Sequence, residues 1–389
     1  MKIGLICPAD FTVLLCCKWI IKHLQDQGNE VIVISPLSKD NFYLEEIRKF
    51  NIMHLEVKMN RHINIVDDIL YFFELFKIFK KYKIESILSV CTKPNIYSPL
   101  AGKLAGINKI NISVWGRGTA FLDSKKIKNK ILKIILLFLY KISFKISNIV
   151  WFTNPKDLKY FTSRKLLNKK KTLLTYNYID SDIYKPKKLR KQKCSKLHKE
   201  FDIKNNSIVI ILVGRMIWSK GIKEYVDAGK ILYRTYPNIK LLLIGAEEKN
   251  NPDSVPTEYL NNLSKYKFIT WTKFRKDVPD LYSLSKIAVL PSYYKEGGYP
   301  RAITEPMSMG IPVIAADTPD CRGPIKNMQN GILVKPKNSR DLANKIKLLI
   351  ENKKLYKKFS SESRKTVLKK FDEKKVIKEV IRNLYSFKK

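Results

Sequence analysis

Short apolar runs alternate with amphipathic stretches from the first residue, and this rhythm confines the chain to a parallel α/β architecture. Residues 1–6 form an apolar run that ends at Cys7-Pro8. A helix-like stretch over 12–27 follows, Gly28 stops it, and residues 30–35 (EVIVIS) read as a second strand. Strand, helix, glycine and strand in this order make a βαβ unit. The rhythm continues with a strand ending near Val57, an amphipathic stretch over 69–82 and a strand over 84–90. A helix over 98–105 and strands over 110–114 and 149–153 follow. It restarts in the second half, with strands at 207–213, 239–245, 287–291 and 312–316 and helices at 223–236, 277–285 and 339–350. The last stretch, 355–387, reads as helical and basic.

The predicted fold class is therefore α/β, with two Rossmann-like, doubly wound domains facing across a cleft where ligands bind. The expected boundaries are 1–184 for the first domain and 206–370 for the second. A basic, apolar-poor linker with a short helix joins them over 185–205, and a terminal helix occupies 371–389. A length of 389 residues suits two cores better than one. With 45% hydrophobic and 28% charged residues the chain is globular and not disordered.

Composition narrows the function classes. The opening apolar run is too short for a signal-peptide core. No uncharged apolar stretch approaches the roughly 20 residues that span a bilayer. Cys7, Cys16, Cys17, Cys91, Cys194 and Cys321 lack metal-ligand spacing, so reduced thiols in a cytoplasmic protein are expected. His23, His54, His62 and His198 form no cluster, and no metal site is expected. The net charge of +40 comes mostly from lysine, in a chain also rich in Ile, Asn, Tyr and Phe. An AT-rich coding sequence accounts for most of that, yet such a charge also promotes adsorption to anionic lipid. Nucleic acid is not an expected partner, because aromatic and basic residues do not interleave as a recognition surface.

One segment stands apart. Residues 124–147 (SKKIKNKILKIILLFLYKISFKIS) combine strong apolarity with lysines at 125, 126, 128, 130, 133, 141 and 145. Such a segment fits an interfacial helix with lysines reaching lipid phosphates, and equally a helix packed on the first sheet with its lysines in water.

Two clusters in the second half carry chemistry. In Val213-Gly-Arg-Met-Ile-Trp-Ser-Lys-Gly221 a strand ends at Gly214, placing Arg215 at the carboxyl edge of the sheet with Lys220 five residues on. Two cations converging there suit a diphosphate whose charge grows as a sugar departs. In 290–305 (LPSYYKEGGYPRAITE), Gly297 and Gly298 precede Tyr299-Pro300 and a helix start at 301–304. Exposed backbone N–H groups and a helix N-terminus there favour an anion. Glu305 is expected in that helix's first turn, where a carboxylate accepts hydrogen bonds from ribose hydroxyls. Glu296 is placed to hold hydroxyls of a transferred sugar. The runs 306–317 (PMSMGIPVIAAD) and 330–336 (NGILVKP) read as structural.

Gly-Arg and Lys-Gly after a strand, then Pro-Ser-x-x-x-Glu-Gly, Pro-x-x-x-x-Glu-x-Met-x-x-Gly-x-Pro-Val-Ile and Asn-Gly-x-Leu-Val, in this order, resemble the retaining glycosyltransferases of GT-B family 4. The similarity is to bacterial members that build capsule, O-antigen or lipid-linked glycans. It covers about residues 208–350; the first half matches only in general pattern and in the loop Val114-Trp-Gly-Arg-Gly118. The resemblance implies that the first domain takes the acceptor and the second the nucleotide-sugar donor, with UDP the favoured nucleotide by family habit, and that the terminal helix crosses back to the first domain. It implies that Arg215 and Lys220 bind the diphosphate and act in catalysis with Glu296, which contacts the donor sugar. Gly214, Gly297, Gly298, Tyr299 and Pro300 would line the donor, and Glu305 would bind the ribose. It further implies transfer with retained anomeric configuration, no cofactor and no obligatory metal. The acceptor would be a glycan or lipid-linked glycan at the inner face of the plasma membrane. The sequence departs from the family in one place: eight residues, not seven, separate Glu296 from Glu305.

On the acceptor side the residues singled out are Asp10, Arg117 and Thr119, with Lys93 and Asn95 beside them. For Asp10 and Arg117 a helix cap and a surface cation are equally good readings. Two other functions compete, a sugar-nucleotide epimerase on the same fold and a non-enzymatic polyanion binder.

Overall fold

The computed structural model describes every residue except 39–41, 61–63, 118–120, 122–126, 249–250, 297 and 386–389, together with all side chains in the rest but those of Leu15, Phe42, Lys128 and Asn129. The chain divides into two compact units: residues 1–176 with 374–389, and residues 177–373. The basic run 185–205 thus belongs to the second unit, and most of the terminal helix belongs to the first.

The first unit holds seven parallel strands in the order β3-β2-β1-β4-β5-β6-β7. They are β1 (Lys2–Ile6), β2 (Glu30–Ser35), β3 (Met53–Glu56), β4 (Ser86–Val90), β5 (Lys109–Val114), β6 (Ile149–Phe152) and β7 (Thr172–Leu174). The central strands are buried almost end to end because helices cover both faces, which is why they read as unbroken apolar runs. Between β1 and β2 the chain forms a short turn α1 (Asp10–Thr12), a π-helical stretch over Val13–Cys17 and α2 (Lys18–Asp26), where the sequence suggested one regular helix. Cys17 Sγ, at the end of the π stretch, lies 3.9 Å from Cys7 Sγ, so two thiols ten residues apart meet in the core. Burial raises the Cys17 thiol well above its usual range, so it stays protonated.

The helices α3 (Phe42–Arg48), α4 (Ile65–Lys81), α5 (Thr92–Leu104), α6 (Ile127–Ile146) and α7 (Pro155–Ser163) complete the crossovers. α5 starts six residues before the expected position and carries Pro99 in its interior. Asparagine side chains start helices in both units: in the first Asn64 accepts from the N–H groups of Val66 and Asp67, and in the second Asn338 accepts from that of Asp341.

The second unit has six parallel strands in the order β10-β9-β8-β11-β12-β13. After α8 (Lys191–Glu200) come β8 (Ile208–Val213), α9 (Ile222–Tyr233), β9 (Ile239–Ile244), α10 (Thr257–Asn261), β10 (Ile269–Trp271) and α11 (Val278–Leu284). Then follow β11 (Ile287–Leu290), α12 (Arg301–Ser308), β12 (Val313–Ala316), β13 (Ile332–Val334), α13 (Ser339–Glu351) and α14 (Lys353–Lys370). The final stretch, expected as one helix, breaks after Lys370, and α15 (Glu373–Tyr385) follows. Asn111 on β5 donates to the carbonyl of Leu384, fixing the end of α15 within the first unit.

In each unit the strand order reverses between neighbours that are not consecutive, β1 and β4 in one, β8 and β11 in the other. The crevice beyond the carboxyl ends at such a reversal is where open α/β sheets bind ligands. Both motif clusters of the second half leave strands at that point.

Candidate functional site

The first cluster leaves β8 at Gly214 and turns through a 3-10 segment, Trp218–Lys220. Asp253 anchors this turn: it accepts from the Ser219 N–H at 3.0 Å and from the Ser219 hydroxyl. Gly221 then takes φ of +80°, and a Cβ there would lie 2.5 Å from the Pro291 carbonyl oxygen. Only glycine lets the turn come so close to the strand end of β11. The Ser219 carbonyl in turn accepts the N–H groups of Tyr293 and Tyr294, at 2.8 and 3.0 Å. The loops after β8 and β11 are thus joined through main-chain bonds, independent of any ligand.

That junction brings Lys220 and Glu296 together. Lys220 Nζ donates to both carboxylate oxygens of Glu296, at 2.6 and 2.5 Å, and each side chain is only 10% exposed. Ser292, fully buried, donates its hydroxyl to Glu296 Oε1 at 2.8 Å. The Glu296 N–H donates to Asp320 Oδ2 at 3.2 Å, on the loop that follows β12. The additional residue between Glu296 and Glu305 therefore leaves Glu296 tied on both its side chain and its main chain.

Arg215 lies over the Tyr294 ring, 5.1 Å from its centroid, and pairs with Glu248 at 3.3 Å. Lys220 Nζ is 5.4 Å from the same ring. One aromatic ring therefore stands beside both cations, and a buried carboxylate balances only one of them closely.

α12 begins after Pro300, which supplies no side-chain cap. Its first N–H groups thus retain the positive end of the helix for an anion. Glu305 is the fifth residue of α12, in the second turn and not the first as expected. Its carboxylate accepts from Arg301 Nε at 3.1 Å and from the Tyr282 hydroxyl at 3.5 Å. Burial raises its pKa, against the opposing pull of Arg301 and the hydroxyls of Tyr184 and Tyr282.

Tyr299 is a strut. Asn177 donates to its carbonyl at 3.0 Å, its ring meets Phe371 edge-on at 6.1 Å, and a Cβ on Gly323 would lie 1.9 Å from it. Gly298 sits against the Asn177 side chain, and Lys220 runs past Gly214. Gly297 lies outside the described residues.

Asp320 and Ser292, which hold Glu296, are not singled out by the sequence, and neither are Tyr294, Asp253, Glu248 and Tyr282. Ser292 stood inside the Pro-Ser motif without a role. Asp320 lies just past the run 306–317, which reads as structural, and no signal along the chain marks it.

In the first unit, Asp10 is fully buried and accepts from the Phe11 and Ser38 N–H groups and the Ser38 hydroxyl, at 2.7–2.8 Å. It acts there as a local cap, and does not stand open on a surface. Arg117 Nε donates to Asp157 at 2.7 Å, and its guanidinium lies 4.3 Å from the centre of the Tyr160 ring. Lys93 is paired with Asp68, and Asn95 is buried, donating to the Ser113 carbonyl. Thr119 lies outside the described residues. Among the described residues no group of three or more His, Cys, Asp or Glu side chains is arranged to hold a metal. No helix among them is long and apolar enough to cross a membrane.

Comparison with known proteins agrees with this architecture. A model of "Glycosyl transferases group 1" matches residues 195–366, and one of "Glycosyl transferase 4-like" matches residues 2–154. The chain is 28% identical, over 91% of each sequence, to a Campylobacter jejuni N,N'-diacetylbacillosaminyl-diphospho-undecaprenol α-1,3-N-acetylgalactosaminyltransferase. It is 25% identical, over 94% of this chain and 92% of the other, to the Staphylococcus aureus capsular polysaccharide biosynthesis glycosyltransferase CapM. A glycosyltransferase from Rickettsia africae superposes with a TM-score of 0.79 at 21% identity, over 99% of this chain and 98% of the other. Anabaena HepE, solved with UDP, superposes with a TM-score of 0.78 at 19% identity over the whole of both chains. With both halves matched in order and the GT-B fold common to these structures, the chain belongs to the GT-B family 4 glycosyltransferases.

Proposed function

We propose that this enzyme moves a sugar from a nucleoside-diphosphate donor, UDP-linked, to a lipid-linked glycan at the inner face of the plasma membrane. The observation that carries the donor half is the buried Lys220–Glu296 pair at the carboxyl edge of β8 and β11, with Arg215 beside it. Two relatives support the acceptor: the Campylobacter jejuni enzyme, and an Escherichia coli UDP-Gal:α-D-GlcNAc-diphosphoundecaprenol α-1,3-galactosyltransferase that is 24% identical over 70% of this chain. Both are named for sugars on diphospho-undecaprenol.

In this reading the bond between the anomeric carbon and the diphosphate oxygen breaks, and a bond to an acceptor hydroxyl oxygen forms on the same face of the sugar. The acceptor's proton passes to the departing phosphate, so no side chain is required as a base. Lys220 and Arg215 meet the charge that develops on the diphosphate, an interaction strongest in the transition state. Glu296, oriented by Ser292 and Asp320, holds hydroxyls of the transferred sugar. The uncapped start of α12 faces the diphosphate, and Glu305 reads the ribose. The cations do the work a metal does in other transferases, so a chelator should leave donor binding intact.

A thermal-shift screen against UDP, GDP, ADP and CMP and their sugars, with and without EDTA, tests the donor. Transfer of radiolabelled sugar onto diphosphoundecaprenol-linked glycans tests the acceptor. A metal-independent shift with UDP is expected. Free sugar or an isomer appearing without acceptor would point to an epimerase, and no shift with any nucleotide would overturn the donor site.

A further inference from the structure

We propose that the outer faces of α4 and α6 together form a docking pad for an anionic bilayer. The inference builds on the membrane-face part of the function proposed above and is independent of the donor chemistry.

Eighteen large apolar side chains stand exposed among the described residues, and ten of them lie on these two helices. On α4 they are Ile65, Val66, Ile69, Leu70 and Phe73; on α6 they are Ile127, Ile131, Ile134, Ile135 and Phe138. Their spacing of three, four and one follows a single face of each helix. The opposite face is already committed to the core, through Tyr71, Leu75 and Phe79 on α4 and Leu136, Tyr140 and Phe144 on α6. Each helix is therefore apolar on two sides, and among the described residues only one side has a protein partner. A soluble surface does not normally leave such stripes uncovered.

The two stripes belong to one surface. α5 packs against both α4 and α6. All three helices connect parallel strands, so they run in the same direction. In both α4 and α6 the apolar residues occupy the first half or more of the helix, nearest the carboxyl edge of the sheet.

Lysines follow the apolar stretch on both helices, and on α6 Lys130 is also exposed within it. Beyond the apolar stretch the exposed positions are Lys77, Lys80 and Lys81 on α4, and Lys141 and Lys145 on α6, with Lys103 at the end of α5 between them. α6 has no acidic residue; on α4 Asp68 is buried against Lys93, and the partly exposed Asp67 and Glu74 accept from the Asn60 side chain and the Lys58 N–H. An apolar band bordered by lysines matches the boundary between acyl chains and anionic headgroups, where the stems of the lysines lie along the apolar region and their ammonium groups reach phosphates. A second copy of the chain is a poor occupant, because each copy carries a net charge of +40 and would bring its own lysines against these.

The test is sedimentation of the full chain with phosphatidylglycerol–phosphatidylcholine vesicles and with phosphatidylcholine vesicles. The wild type should partition to the anionic vesicles and lose most of that binding in high salt. The double variants Ile69→Ser/Leu70→Ser and Ile134→Ser/Ile135→Ser should each weaken partitioning by roughly tenfold or more. Lys77→Gln/Lys80→Gln/Lys81→Gln should weaken it by about fivefold per lysine at low salt. Stability to heat and the shift with UDP should match the wild type in all three, which separates lost docking from misfolding. Failure of the wild type itself to shift with UDP would count against the donor site and leave the pad standing. An α4 variant that partitions like the wild type would overturn the two-helix pad. So would wild-type protein that ignores anionic vesicles, or a dimer in light scattering that the α4 variant dissolves.

Discussion

Replacing Glu296 with Gln removes the charge opposite Lys220 while preserving shape, so its effects separate a structural ion pair from a donor site. Each partner is 10% exposed. Removing one member of a buried pair typically costs about 3–5 kcal/mol, because the other charge is left without compensation. Glutamine can still accept from Ser292, so the lower end, about 3 kcal/mol, is expected. For a unit of this size that is a fall of about 6–12 °C in melting temperature without ligand. The diphosphate of UDP would then serve as the missing counter-charge. In the wild type it must compete with Glu296 for Lys220; in the variant it has no competitor. If UDP binds the variant about tenfold more tightly, saturating UDP should close about 1.4 kcal/mol of the gap, or about 3–6 °C. Transfer should fall by about 10–100-fold in the same variant, since a charged hydrogen bond to the sugar is lost. The assays are calorimetry at a series of UDP concentrations and single-turnover transfer. If saturating UDP leaves the gap as wide as before, the diphosphate does not meet Lys220, and the pair is only a strut between two loops.

Lys220→Ala should lower kcat by about 100-fold or more while the KM for the UDP-sugar changes far less, because the ammonium acts mainly on the departing charge; equal losses in steady-state kinetics would refute that role. Glu305→Gln should weaken UDP binding about tenfold by titration calorimetry. Its melting temperature should be no lower than the wild type's, because burial already disfavours the charged carboxylate. Asp320→Ala should reduce kcat/KM about tenfold by freeing the Glu296 N–H, and Asp320→Asn, which still offers an oxygen, should restore most of it; UDP affinity should be unchanged in both. Gly323→Ala should destabilise the second unit, measured by urea denaturation, because its Cβ would overlap the Tyr299 ring.

What was legible in the sequence followed from constraints that act locally. A parallel strand buried on both faces must be an apolar run, and a run such as IVIILV at 208–213 admits few other readings. A strand that ends in Gly-Arg must also place its next residues at the sheet's carboxyl edge, so Lys220 and Glu296 could be named before any contact between them was known. Asp320 was not legible, because its role depends on which strand lies beside β11, and adjacency in a sheet is not written along the chain. The π turn at Val13–Cys17 and the meeting of Cys7 with Cys17 are hidden for the same reason. α4 marks a different limit. Its apolar residues at 71, 75 and 79 and those at 65, 69 and 73 each follow a helical period, and periodicity assigns neither set to the core. Only packing on the sheet decides between them, and it leaves the second set facing outward beside lysines. A pattern that reads in sequence as an ordinary crossover helix thus becomes, once one face is filled, an argument about what covers the other.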